Sequence, residues 1–453
     1  MVITITQAAT GVVVLYVLSC LFLRFTQCPS EPPPVGTTIP FLEPIIGLSR
    51  RKWNYYVDLR DRYRFPIQTL RLPGMRLYVV NSASLVQAVQ KQPKILAMPP
   101  LEAKAMIRVL APSEESHSIV YENVDGRKGD WGFMFMFYKT IHPPRSSRPR
   151  GLLLLMGLDV FAKDTVQARK RIADAFERYF RNGLHGQASA LIKAHYAHSI
   201  DYKLPLQDLA KLEVGAALGV LSNIVPTTFW LLYHLFANPH ALQLCRKEVE
   251  NATKESADAK GRLIRTIDVS DVKSSCPTLL SSFRETLRLH TVGASARLVM
   301  EDFMLDGKFL LRKGALVLLP QSVQHTDQSV WGSNVGIFDC ERFLKANKRT
   351  NAVEFRGFGG GTTLCPGRHF ATTEVLAYTA MFIMRFDIEP RHGRWVQPTT
   401  ENSGMWTVTA GPDYDVGVEC RSREGVPVDM HWRLSLSKSD HVMSLAAEDL
   451  GTR

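Results

Sequence analysis

The sequence predicts a mainly α-helical domain with a small strand-rich subdomain, tethered by one N-terminal membrane helix. Three observations lead there: an uncharged apolar run at the start of the chain, long helical periodicities from about residue 165 onward, and two regions of paired strand signals around Pro-Gly and Asp-Gly turns.

The first 23 residues, MVITITQAATGVVVLYVLSCLFL, carry no charged side chain. At helical rise they are long enough to cross a hydrocarbon core about 30 Å thick. Arg24 closes the run, and no basic leader or A-x-A-like cleavage site accompanies it, so the reading is a retained single-pass anchor. Arg24, Arg50, Arg51 and Lys52 lie downstream and place the body of the protein on the cytoplasmic side. Residues 1–27 are thus the anchor, 28–45 a stiff proline-rich stalk, 46–430 the main domain and 431–453 a C-terminal tail.

The chain has 453 residues, 45% apolar and 22% charged, which suits a globular protein rather than a disordered one. Its formal charge is +12, but the basic residues are scattered and form no zinc-finger or helix-turn-helix pattern, so no nucleic-acid partner is expected. Membrane lipid or an acidic protein surface is the expected counterpart. The seven cysteines are widely spaced and contain no CxxC pair, which indicates neither a disulfide framework nor a zinc site. A reducing compartment fits.

Along the chain, residues 65–83 read as a strand hairpin around Pro73-Gly74, followed by a helix capped by Ser82. Residues 165–182 read as a helix. Residues 206–239 read as a long one, apolar on nearly every face in its middle and distorted at Pro226. A helix over 276–290 precedes paired strands turning at Asp306-Gly307 and Lys313-Gly314, and a last long helix is expected from Pro366, at its first position, to about Phe386. Residues 139–151 are basic and rich in Pro and Ser, the composition of a loop.

Chemistry concentrates in FGGGTTLCPGRHFA, residues 358–371. A thiolate that ligates a metal needs hydrogen-bond donors and a positive field around its sulfur. Three glycines allow a tight turn and close approach to a flat ligand, and a helix starting just after Cys365 aims its free amides at the sulfur. A buried structural cysteine is the other reading of this stretch. Earlier in the chain, Glu285 and Arg288 share one helix face, and Arg342 in FDCERFL is placed to complete a charge network with them.

Together these motifs resemble the cytochrome P-450 family of haem-thiolate enzymes, loosely over residues 28–130 and closely over 160–420. The cysteine signature is met by Phe358, Gly361, Cys365 and Gly367, the ExxR helix by Glu285 and Arg288, and the meander by Glu341, Arg342 and Phe343. The resemblance implies the cytochrome P-450 fold, haem b with Cys365 as the proximal iron ligand, and Arg297 at a haem propionate. A thiolate ligand pushes electron density in the direction that favours O–O cleavage. It also implies electrons from NADPH through a cytochrome P-450 reductase, a lipophilic small-molecule substrate and an endoplasmic-reticulum membrane location. Lys345, Lys348, Arg349 and Arg356 suggest a basic landing face for that reductase.

The family's oxygen-side helix usually carries an acid followed by a threonine. Here Ser222 and Asn223 occupy those places, counted from Asn238-Pro239, so this pair is the candidate catalytic set. An amide orients a water or a substrate oxygen but does not titrate. SNIVPTTFW resembles the branch holding sterol hydroxylases and prostacyclin synthase, and the chain also resembles fungal enzymes of secondary metabolism. The expected activity is a monooxygenase acting on a terpenoid, steroid or polyketide; a haem-thiolate isomerase or dehydratase needing no reductase, or a truncated inactive haem-binding protein, are the alternatives. Three departures from the family pattern stand out: Thr363 replaces a common propionate-binding arginine, which Arg368 or His369 would have to cover; no WxxxR motif is present; and residues 131–160 are shorter than the helices they replace.

Overall fold

The computed structural model describes residues 5–124, 163–344, 353–361, 364–404, 408–427 and 430–437. The expectations for 131–160, Lys345, Lys348, Arg349 and Thr363 lie outside the described residues. Helices dominate what is described. Four of them, Leu206–Phe236, Pro239–Ala252, Pro277–His290 and Arg368–Arg385, pack around one apolar core that includes Leu231, Leu235, Phe283, Leu376 and Ile383. The long apolar helix runs through this core because its C-terminal half has no polar face to give to water. Trp230 is fully buried, and its indole N–H is satisfied by the carbonyl of Ala410 at 2.7 Å.

Local chemistry sets the helix starts. Asn238 accepts from the Ala241 amide at 3.1 Å with Pro239 at the first helical position. The helix Pro277–His290 has no side-chain cap of its own; Glu248 supplies one from the neighbouring helix, accepting from the amides of Thr278 at 3.0 Å and Leu279 at 3.2 Å. Ser82 caps Ala83–Gln90 as expected.

The strand-rich part is a five-stranded sheet in the order Ile67–Leu72, Met75–Val80, Leu316–Pro320, Ala294–Val299, Leu96–Ala97. The hairpin 67–80 pairs Leu72 with Met75 across the Pro73-Gly74 turn and joins Leu316–Pro320 in parallel. Its inner faces close on a second apolar core around Tyr78, Val80, Val86 and Val317.

Three boundaries differ from expectation. The last helix begins at Arg368, not Pro366, because Pro366 and Gly367 form a turn in which the Arg368 amide donates to the Cys365 carbonyl at 3.4 Å. The expected stalk is no free-standing spacer: Val35 N donates to Thr69 O at 3.0 Å, Thr69 N to Pro33 O at 2.8 Å, and Leu310 N to Ser30 O at 2.7 Å, so the proline segment is laid along the sheet edge. The folded chain also continues past 430, since His431–Ser435 pairs in parallel with Leu263–Asp268, and Ser435 and Ser437 donate hydroxyl hydrogen bonds to Asp268.

Candidate active site

The cysteine loop is tied down from both sides. The Cys365 amide donates to Phe358 O at 2.9 Å and Leu364 N to Gly361 O at 3.1 Å, which closes the glycine-rich turn on itself. Gly361 has φ +65°, and a Cβ there would sit 3.0 Å from Gln90 Cγ, so both backbone and space demand glycine. Gly357 is needed for a different reason: a Cβ would meet Leu287 Cβ at 3.1 Å, so the loop lies directly on the helix Pro277–His290. Phe358 packs against Phe283 of that helix with ring centroids 6.2 Å apart.

The same helix carries the charge network. Arg288 forks onto the Glu285 carboxylate through Nε at 2.7 Å and Nη2 at 2.8 Å, and Arg342 Nε reaches Glu285 Oε1 at 2.9 Å. Glu285 and Arg288 are fully buried. Such a pair persists in an apolar core only when its remaining donors are satisfied. They are: Arg288 Nη1 donates to His325 O at 2.9 Å, and Arg342 donates to the carbonyls of Trp331, Asn334 and Ile337.

His325 carries this network on to the cysteine loop. Its Nδ1 lies 3.2 Å from Thr291 O and its Nε2 accepts from the Arg356 amide at 2.9 Å, which requires the neutral Nδ1–H tautomer. Burial pushes His325 down to about 3, with the Arg288 guanidinium acting in the same direction, so the ring is neutral. Arg356 in turn opens the loop: its carbonyl accepts from Gly359 N at 3.0 Å. With its carboxamide oxygen turned toward the donors, Gln90 accepts from Arg356 Nη1 at 2.7 Å and Gly361 N at 3.3 Å. One connected path therefore runs from Arg342 through Glu285, Arg288, His325 and Arg356 to Cys365.

Arg356 corrects an expectation. It is about 1% exposed and is not part of a surface landing face, because its side chain turns inward to Gln90 and reaches Ser295 Oγ at 3.5 Å. Arg297, two residues along the same strand and so on the same face as Ser295, is also buried. Its Nη1 donates to Ala296 O at 2.8 Å. The sequence marks neither His325 nor Arg356 as part of the site: a lone histidine and one arginine of FRGFGGG carry no spacing signal, and Arg356 reads there only as a surface charge.

Around the thiol, the Gly367 amide and the Arg368 guanidinium favour the thiolate, but burial outweighs them and pushes Cys365 up to about 11. The set fits a haem: one soft sulfur donor with amide and guanidinium support, a glycine-lined turn, and two buried guanidinium groups, Arg297 and Arg356, suited to carboxylates.

On the long helix, Pro226 has no N–H to give to the Ser222 carbonyl, and among the described residues Ser222 Oγ is buried without a hydrogen-bond partner. Asn223 bridges two elements: its Nδ2 lies 3.4 Å from Gly219 O, and its Oδ1 accepts from Thr409 N at 3.4 Å. Thr227 Oγ1 donates to Asn223 O at 2.7 Å and lies 3.4 Å from Thr409 Oγ1. The strand-like pairing of Thr409 with Thr291 then joins this cluster to the end of the ExxR helix. Deeper along the same two helices, His234 and His290 face each other at 2.8 Å between their Nε2 atoms, and His290 stacks on Trp230 at 4.0 Å.

Comparison with known proteins identifies the family. The family model for cytochrome P450 matches residues 190–415. A cytochrome P450 monooxygenase, nodJ, of Hypoxylon pulicicidum is 26% identical over 95% of this chain and 98% of its own length, and a cytochrome P450 monooxygenase of Gibberella zeae is 25% identical over 81% and 83%. A cholesterol 7-alpha-monooxygenase of Cricetulus griseus is 26% identical over 52% of this chain and 50% of its own. The chain belongs to the cytochrome P450 family and is an enzyme of its monooxygenase class. The alignment with the Hypoxylon relative runs over 503 positions, more than the 453 residues of this chain, so that relative carries residues this chain lacks.

Proposed function

We propose that the chain is a membrane-held haem-thiolate monooxygenase that oxidises a lipophilic terpenoid, steroid or polyketide, in fungal secondary metabolism. The observation that carries the reading is the unbroken path from Arg342 to Cys365, which rigidly holds a single thiol at the start of the helix Arg368–Arg385. The first two relatives are fungal monooxygenases and others are sterol 7α-hydroxylases, which supports the substrate class.

In this reading Cys365 holds the iron, Arg297 and Arg356 hold the propionates, and Phe358, Gly361 and Gly367 shape the loop. Glu285, Arg288 and Arg342 keep that loop in register. Haem, when bound, supplies reductive activation of dioxygen and transfer of one oxygen atom to an unactivated C–H bond. Ser222 and Asn223 act on the oxygen side: the hydroxyl of Ser222 has hydrogen-bonding capacity to spare, and Asn223 fixes the helix against Thr409. Neither side chain titrates near neutral pH, so protons arrive through water that they orient. Electrons come from NADPH through a reductase that docks on the cysteine side. The helix Ile5–Thr26 holds the protein on the endoplasmic-reticulum membrane with its body in the cytoplasm.

The test is the carbon monoxide difference spectrum of the reduced, detergent-purified protein beside Cys365→Ser. A red-shifted thiolate-type band in the unmodified protein alone supports the ligand; its absence from both rejects it. Turnover of candidate lipophiles is then compared with and without NADPH and reductase. The non-titrating pair Ser222 and Asn223 also suits a haem-thiolate isomerase, and turnover that needs no reductant would select that reading.

A further inference from the structure

Where the N-terminal helix meets the body there is a cavity of about 740 Å³, far from the cysteine loop in the chain and used by nothing described above. Its walls come from the end of Ile5–Thr26, the proline segment and the hairpin, and include Leu23, Val35, Leu70 and Phe309. The volume is that of a small-molecule site, and such sites combine apolar walls with a few placed polar groups.

The polar groups are cationic. Arg24, Arg71 and Lys308 line the cavity, and Glu31 is its one acidic residue among the described residues. Glu31 is committed elsewhere: it is fully buried, accepts from Tyr78 OH at 3.0 Å and pairs with Arg76 at 3.3 Å and Arg312 at 3.5 Å. Lys308 has Asp306 at 3.3 Å, an exposed pair and so a weak one. Arg71 is left over. It stands opposite Arg76 across the hairpin, its Nη2 donates to Thr26 Oγ1 at 3.0 Å, and its Nη1 is buried with no hydrogen-bond partner among the described residues. Burial and the Arg76 charge both push Arg71 downward and Glu31 offsets them only in part, as expected of a guanidinium that makes no ion pair of its own among the described residues.

We propose that this cavity binds an anionic phospholipid, with the phosphate on Arg71 and Lys308 and the upper acyl chain along Leu23, Val35, Leu70 and Phe309. The lipid source follows from position, and here the inference rests on the membrane-anchor reading. The apolar helix ends at the cavity, so a bilayer that holds the helix brings its headgroup layer to the mouth. Phe25, Ile39 and Leu42 beside it are 80%, 45% and 52% exposed, an apolar rim suited to the same interface.

The experiment uses the full chain in neutral detergent, titrated with dioctanoyl phosphatidate, dioctanoyl phosphatidylcholine or inorganic phosphate while the unfolding temperature is followed. The expected result is a saturable rise with phosphatidate alone, with half-saturation at least fivefold weaker in Arg71→Gln and about two- to threefold weaker in Lys308→Gln. The Lys308 variant changes an exposed side chain and keeps the test open if Arg71→Gln does not fold. A rise of the same size with phosphate overturns the lipid assignment, and no saturable rise, or one unchanged in both variants, overturns the site. Flotation of the same protein with phosphatidylcholine vesicles reports the anchor separately: failure to float rejects the anchor, while the micelle titration still decides the cavity.

Discussion

Acidification should destabilise this protein well before its carboxylates titrate, because three buried imidazoles are held neutral. Burial pushes His234 down to about 4 and His325 to about 3, and His290, buried against His234 and Arg288, lies well below its usual value. In the unfolded chain each returns to about 6.5. The unfolded state then binds more protons than the folded one as pH falls through 6.5, so stability drops with falling pH and goes on dropping toward the folded values. At pH 5.5 each histidine sits about one unit below its free value, and at 1.36 kcal/mol per unit each costs about 1.4 kcal/mol, or about 4 kcal/mol for the three. An unfolding entropy of about 2.1 cal/mol/K per residue over 453 residues turns this into a midpoint drop of about 4 °C between pH 7.5 and 5.5. Asp268, whose hydrogen bonds with Ser435, Ser270 and Ser437 hold it down to about 2 against its burial, stays ionised throughout that range and does not contribute. The assay is thermal unfolding at fixed scan rate at the two pH values, on the wild type and on His234→Leu/His290→Phe. The double variant starts less stable but should retain only the share of His325, about 1.4 kcal/mol. A wild type with the same midpoint at both pH values, or a variant with the wild-type pH dependence, would refute the reasoning.

Other perturbations separate the parts of the site. Glu285→Gln leaves Arg288 and Arg342 buried without their carboxylate and should cost about 3–5 kcal/mol, seen as loss of soluble haem-loaded protein; a variant that purifies with full haem content contradicts the network's role. Gly361→Ala forces a Cβ to 3.0 Å from Gln90 at φ +65° and should lower stability by about 1–3 kcal/mol in urea unfolding. Asn223→Ala removes the contact with Thr409 and should cost only about 1 kcal/mol while keeping haem content. If Asn223 serves the oxygen side, reductant consumption per product formed should rise in that variant, which a merely structural residue would not cause.

Much of the site was legible because its signals are local. ExxR spacing puts two charges on one helix face, and a glycine run before Cys-Pro-Gly marks a tight turn at a helix start; both hold whatever the rest of the chain does. The third member, Arg342, was legible from its place in FDCERFL. His325 and Arg356 were not, since their roles depend on a strand, a short helix and a loop meeting in space. In sequence Arg356 looks like a surface charge because nothing there marks a lone arginine as buried, and only contact with Gln90 and Ser295 turns it inward. The proline segment looks like a spacer for a similar reason: prolines dictate extended backbone, but whether that backbone is solvated or lies against an edge depends on which sheet carbonyls and amides remain to be met, here those of Thr69.

The way the N-terminal helix is fastened has a practical corollary for anyone preparing the enzyme. Its last turn is a structural partner of the hairpin: Arg71 donates to the Thr26 hydroxyl, Arg76 Nη2 to the Thr26 carbonyl at 2.9 Å, and the Arg71 guanidinium lies 6.0 Å from the centre of the Phe22 ring. Cutting the chain after residue 27 to obtain a detergent-free protein would strip both arginines of these contacts and leave two facing guanidinium groups to share Glu31. A cut before Val17 keeps the last turns of the helix and the clamp with it, so the shorter trim is the one that removes most of the apolar run without unfastening the sheet.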